Sequence, residues 1–132
     1  MIARLGRVAS HTATHILFAF FMMGSWAFYA NADHAMPKPA VAAFVQGTIS
    51  ACITLFLKTL LETLSRRFGG TAVLIMPPAI ACTLSLGILI AMHWLSGTPE
   101  MFATIAVPFS VASIYAVTYN FTLWRKQRGQ HK

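Results

Sequence analysis

Acidic side chains are almost missing from this chain. Asp33, Glu62 and Glu100 are the whole stock in 132 residues, so catalysis by paired carboxylates has little to draw on. Charged residues of either sign make up 10%, against roughly 25% in an average globular domain. Cysteine is scarce too. Cys52 and Cys82 both sit inside apolar runs, which excludes a secreted disulfide framework and leaves the small buried thiol as the default reading. No internal repeat, low-complexity tract or long polar loop divides the sequence, so it holds a single unit.

Apolar residues fill the space that charge leaves, at 57%. A bilayer core of roughly 30 Å needs about 20 mostly apolar residues as helix, and four such stretches occur, at about 12–29, 40–64, 71–95 and 101–124. They do not alternate apolar and polar as barrel strands would. The expectation is an all-α, integral membrane bundle of four transmembrane helices in one domain, residues 1–132. Basic residues fix its direction. Arg4, Arg7, Lys58, Arg66, Arg67, Arg125, Lys126, Arg128 and Lys132 fall on one side and Lys38 alone on the other, which places both termini in the cytoplasm of a cell inner membrane. Trp26, Tyr29 and Trp94 then mark the outer interface, with His34 and His93, and Tyr119 and Trp124 mark the inner one. The net charge of +7 avoids the apolar runs and has no solvated face to spread over, unlike that of a nucleic-acid module. A competing reading takes residues 1–32 as a cleaved secretory signal ending in Ala30-Asn31-Ala32.

Polar side chains inside hydrocarbon are tolerated where they meet protein or water, which makes span two informative. At 100° per residue Gln46, Gly47, Ser50, Ala51, Thr54, Lys58 and Glu62 fall in a sector about 160° wide. Gly47 and Ala51 form a small-xxx-small notch for close helix packing. This face either glues helices together or lines a hydrophilic path. Lys58 either snorkels to the interface and pairs with Glu62 one turn on, or faces a phosphate or carboxylate. In span three Pro77 and Pro78 deprive the carbonyls of Val73 and Leu74 of their amide donors, so the helix kinks there or starts there. Pro108 does the same to Thr104 in span four. Such prolines either shape the helices or break them as in transporters.

His11 and His15, at i and i+4, supply two ligands where zinc needs three or four. No metal or cofactor is expected. No nucleophile–base–acid set shares one depth, so the chain is not expected to be an enzyme. His11, His15, Lys58, Asn120 and Arg125 project instead to the inner third of the bundle. This cationic rim suits an anionic lipid head, and ordinary positive-inside statistics also put charge there. With Gln46, Ser50 and Thr54 these residues are the candidate substrate-binding set. Gly47, Ala51, Pro77, Pro78 and Pro108 are the candidate packing set.

The close of span four, Asn120-Phe121-Thr122-Leu123-Trp124-Arg125, resembles the N-F-x-x-x-R helix end of the GtrA-like family of small four-span membrane proteins. Size, topology and the Arg66-Arg67 hairpin look similar as well. The chain continues Lys126-Gln127-Arg128-Gly129 where the family usually has an aromatic W-x-F segment. The resemblance implies handling of a polyprenyl-phosphate-linked sugar, and Asn120, Phe121 and Arg125 carry over. The expected function is therefore binding or translocation of an anionic lipid-linked substrate, or an accessory subunit of such a system. The expected partners are membrane lipids and a second copy or a larger membrane complex. The alternatives are a dimeric small-solute or proton-coupled transporter and a structural assembly partner.

Overall fold

A computed structural model describes residues 1–130, apart from the side chains of Leu5 and Val8; Lys132, counted above with the basic tail, lies outside them. Four helices follow one another, α1 (Ile2–Ala30), α2 (Lys38–Ser65), α3 (Ala72–Leu95) and α4 (Met101–Gln130). Each is long and apolar enough to cross a membrane. At 1.5 Å per residue they run from about 36 Å to about 45 Å, longer than the roughly 30 Å hydrocarbon. The surplus explains why α1 begins ten residues before the apolar run. Nothing in Ile2–His11 breaks a helix, and hydropathy marks where hydrocarbon ends, not where helix ends.

The start of α1, the end of α4 and the α2–α3 turn lie at one end of the bundle, here the terminal end. The α1–α2 and α3–α4 turns form the distal end. Cross-links at each end fix this arrangement: Gln127 Nε2 donates to the Ser65 carbonyl at 3.3 Å at the terminal end, and Trp26 Nε1 donates to the Ala103 carbonyl at 3.0 Å at the distal end. α2 touches all three other helices, whereas α1 and α3 share no contact among the described residues.

Two apolar clusters hold α2, α3 and α4 together. Leu57, Leu61, Ala81 and Ala116 form the one towards the terminal end, and Ile49, Leu89 and Ile105 the other. α1 belongs to neither and is held by a backbone crossing. A Cβ built on Gly47 would stand 2.9 Å from the Phe20 carbonyl oxygen, and one on Gly24 would stand 3.0 Å from that of Ala43. Only glycine allows so close an approach, which is what glycines at membrane helix contacts provide. Ala51, one turn on from Gly47, is half-buried.

Hydroxyl groups on the exposed sides of the helices do not need to look inward. Thr48, Thr83, Ser110, Thr118 and Thr122 are exposed, and each donates to the carbonyl four residues before it at 2.7–3.0 Å. The helix supplies the acceptor that hydrocarbon lacks.

α3 neither breaks nor starts at Pro77-Pro78; helix runs continuously from Ala72 through both prolines, which are buried. The reason is on α4. Pro77 has no amide hydrogen to give the Val73 carbonyl, and Asn120 Nδ2 donates to that oxygen at 2.7 Å instead. Asn120 is fully buried. It therefore belongs to helix packing and not to the cationic rim expected from its depth. We expect Asn120→Ala to lower unfolding free energy by about 1 kcal/mol or more, and to cost about 1 kcal/mol less in a Pro77→Ala background, where a backbone amide can take over the carbonyl. Steric-trap or denaturant unfolding of the four variants reads this coupling; strictly additive effects would contradict it.

Candidate functional site

The distal end is assembled from turns that place side chains over one another. α3 ends at Ser96, and Gly97 adopts a left-handed φ of +68°. The Gly97 amide donates to the Trp94 carbonyl at 3.2 Å and the Thr98 amide to the His93 carbonyl at 3.0 Å, the paired bonds of a Schellman ending. This turn folds Thr98 back over His93, and its hydroxyl lies 2.8 Å from His93 Nδ1. The other imidazole nitrogen, Nε2, is 2.8 Å from Gln46 Oε1 on α2. Gln46 Nε2 in turn donates to Ser50 Oγ at 2.8 Å. With its amide nitrogen committed to Ser50, Gln46 presents its carbonyl to His93, so imidazole Nε2 carries the hydrogen. His93, two residues from the end of α3, is fully buried and joins α3 to α2.

A second distal network ties α1 to α4. Asn31, the residue after α1, is fully buried. Its Nδ2 donates to the Ala27 carbonyl and to Thr104 Oγ1, both at 2.8 Å, and its Oδ1 accepts from the Glu100 amide at 2.9 Å. That last bond satisfies an amide at the start of α4, which has no partner within its own helix. His34 sits 2.9 Å from Glu100 Oε1, part-exposed at the surface of the same end. Asn31, Thr98 and Thr104 were absent from the candidate set. Their partners lie on other helices or across a turn, and only Ser96-Gly97-Thr98-Pro99 and the position of Asn31 after an apolar run carry a local signal.

Between α1 and α4, with α2 as its floor, lies a groove of about 620 Å³. His15, Gln46, Ser50, Thr54 and Lys58 line it. Its terminal-end mouth is built from Thr12 and His15 of α1, Lys58 and Thr59 of α2 and Tyr115 of α4, and in its middle Ser50 and Thr54 sit among mostly apolar side chains. His11 is exposed one turn beyond His15, and Arg125 is exposed far along α4; neither lines the groove. Glu62 does not serve as the partner of Lys58. It accepts from the Tyr119 hydroxyl at 2.6 Å, and Tyr119 stacks on Tyr115 with ring centroids 5.4 Å apart. Lys58 lies on the groove wall, about 10 Å from the end of α2. Thr54 is back-bonded to the Ser50 carbonyl at 2.7 Å. Pro108 lines the inner end of the groove.

His93 and Gln46 separate this groove from a hollow of about 480 Å³ at the distal surface, lined by His93, Trp94, Thr98 and Glu100. Among the described residues no three His, Cys, Asp or Glu side chains gather where a metal would need them. No family model matches the chain, and neither a curated protein nor a solved structure is detectably similar to it.

The groove lies beside the place where α1 leans on α2 through glycine, below the distal bonds that tie α1 to α4. We expect Gly47→Val, which pushes its β-carbon into the Phe20 carbonyl, to destabilise the fold by about 1–3 kcal/mol and to spread α1 from α2. Spin labels on the two helices would report a longer distance with a broader distribution; an unchanged distance would contradict the close crossing.

Proposed function

We propose that this chain is a multi-pass inner-membrane protein whose groove binds an anionic amphiphile, head at the terminal end and tail along the apolar wall. The terminal end is the cytoplasmic one in this reading, because eight of the nine Lys and Arg residues among the described ones lie towards it. The observation that carries the proposal is the presence of both a lysine and a histidine, Lys58 and His15, in the lining of a mainly apolar groove. An ammonium inside the apolar length of a helix costs about 2.5–3.5 kcal/mol at the helix centre. The groove offers a reason to keep one near the interface. An anion held there offsets the cost, in a setting where charge–charge attraction exceeds its value in water.

The volume supports the same reading, since ligand pockets commonly run to about 300–1,000 Å³. The resemblance of Asn120–Arg125 to the GtrA-like helix end makes a polyprenyl phosphate one occupant to test. Asn120 itself contributes through the Val73 carbonyl and not through contact with ligand. The protein would act as the lipid-binding component of a system that moves or modifies such a lipid, alone or with a membrane partner.

Native mass spectrometry of the detergent-purified chain with hexadecyl phosphate tests this. We expect Lys58→Leu with His15→Leu to weaken binding by about tenfold or more, and Arg125→Leu, outside the groove, to change it by less than about twofold. Undiminished binding by the double variant, or equal binding of uncharged hexadecanol, would overturn the proposal.

A further inference from the structure

We infer that the amphiphile bound in the groove carries a diphosphate head in preference to a single phosphate, an inference that rests on the reading above and names the ligand class of the same site. It comes from a row of basic side chains that leaves the groove along α1. At 100° per residue Arg4, Arg7, His11 and His15 fall within about 80° of one another, and all four are exposed. His15 lines the groove, as do Phe18 and Met22 from the same side of the helix. The row therefore continues one wall of the groove towards the terminal end, about 17 Å from His15 to Arg4.

Topology alone does not account for the row. A positive-inside bias asks for basic residues at one end of the bundle and is indifferent to the side of the helix that carries them. Residues three and four apart on a helix are neighbours, so like charges there repel. No acid relieves them. Residues 1–32 contain no Asp or Glu, and Glu62, the acid nearest this end, accepts from Tyr119. Among the described residues the one ion pair, His34 with Glu100, lies at the distal end.

Depth adds to the cost. Gly24 packs against Ala43 and Gly47 against Phe20, which sets the antiparallel register of α1 and α2. Counted on from there, His11 stands level with Phe56 and Arg7 with Leu60, both within the apolar run of α2. Phe56 is half-exposed at that level, as a side chain facing hydrocarbon would be. An unpaired cation there is costly, and an anion alongside offsets the cost.

One phosphate between Lys58 and His15 lies about 6 Å along the axis from His11 and about 12 Å from Arg7. A second phosphate, joined to the first and directed out of the groove, brings its oxygens towards His11 and the long side chain of Arg7. The guanidinium fork binds phosphate oxygens in pairs, and Arg4 adds its attraction one turn on. The mouth holds the first phosphate, and the row on α1 selects for the second.

Farnesyl phosphate and farnesyl diphosphate share a tail and differ by one phosphate, and native mass spectrometry of the full chain in nonionic detergent compares them. We expect the diphosphate to bind about tenfold tighter. Arg4→Gln with Arg7→Gln should reduce that preference to less than about twofold and leave farnesyl phosphate within about twofold of its original affinity, which also shows the variant to be folded. Arg66→Gln with Arg67→Gln removes the same charge from the end of α2, outside the groove, and should keep the preference. Inorganic diphosphate, which has no tail, should bind at least about tenfold more weakly than the farnesyl ester. Equal binding of the two farnesyl probes overturns the diphosphate inference alone, provided Lys58→Leu weakens both. So does a preference that survives the α1 double variant, or one that the α2 double variant abolishes equally. Indifference of both probes to Lys58→Leu, or inorganic diphosphate binding as well as the farnesyl ester, overturns the reading on which it rests.

Discussion

A hydrogen-bonding group without a partner is expensive wherever water is excluded, and the bundle is arranged around that cost. Gln46, His93, Asn31 and Asn120 are all buried, and each gives at least one side-chain hydrogen bond to a neighbouring helix or turn, although Asn120 Oδ1 is buried without a partner. Gln46 meets His93, Asn31 meets Thr104 and Glu100, and Asn120 meets the Val73 carbonyl that Pro77 leaves open. These bonds do what a large apolar core does in a soluble domain. They choose one register among the many that apolar helices in lipid would otherwise tolerate, because lipid tails compete equally well for apolar contact.

The same pairing decides where the molecule is open. The bonds from Trp26 and Asn31 of the α1 end to α4 lie at the distal end, and the glycine crossing with α2 lies just below them. Towards the terminal end α1 leans on α2 but stands away from α4, and the groove is the space left between them. Its distal limit is closed by the interlocked Gln46, His93 and Thr98. Its lining carries Lys58, while Glu62 accepts from Tyr119. A site with a cationic mouth and an apolar track is thus a consequence of how the buried polar groups are distributed. No separate binding domain is required.

Much of the architecture was legible in the sequence. Four helices long and apolar enough to span a membrane stand where the apolar runs are, since twenty apolar residues admit few alternatives. The helix ends were less legible, as α1 shows by starting at Ile2, because a helix continues into polar surroundings without an apolar signal. Side-chain roles were the least legible. His93 reads locally as one more residue near an interface, yet its partners lie 47 residues away on α2 and across the α3–α4 turn. Asn120 has the depth of a rim residue but the orientation of a packing residue, a difference that periodicity within one helix does not encode. The polar row on α2 was visible by its spacing. That its upper members face His93 while Lys58 faces the groove depends on which helix lies beside each turn.

The interlock of His93 with Gln46 is the most direct place to probe this account, because it closes the groove and joins α3 to α2. Solid-state NMR of the full chain in bilayers, with nitrogen-labelled histidine and carbon-labelled glutamine, reports its tautomer and its neighbour. The account predicts one imidazole form with the hydrogen on Nε2, close in space to the Gln46 side-chain carbonyl and protected from exchange with water. A mixture of tautomers, or an Nε2 hydrogen that exchanges freely and shows no proximity to Gln46, would contradict it.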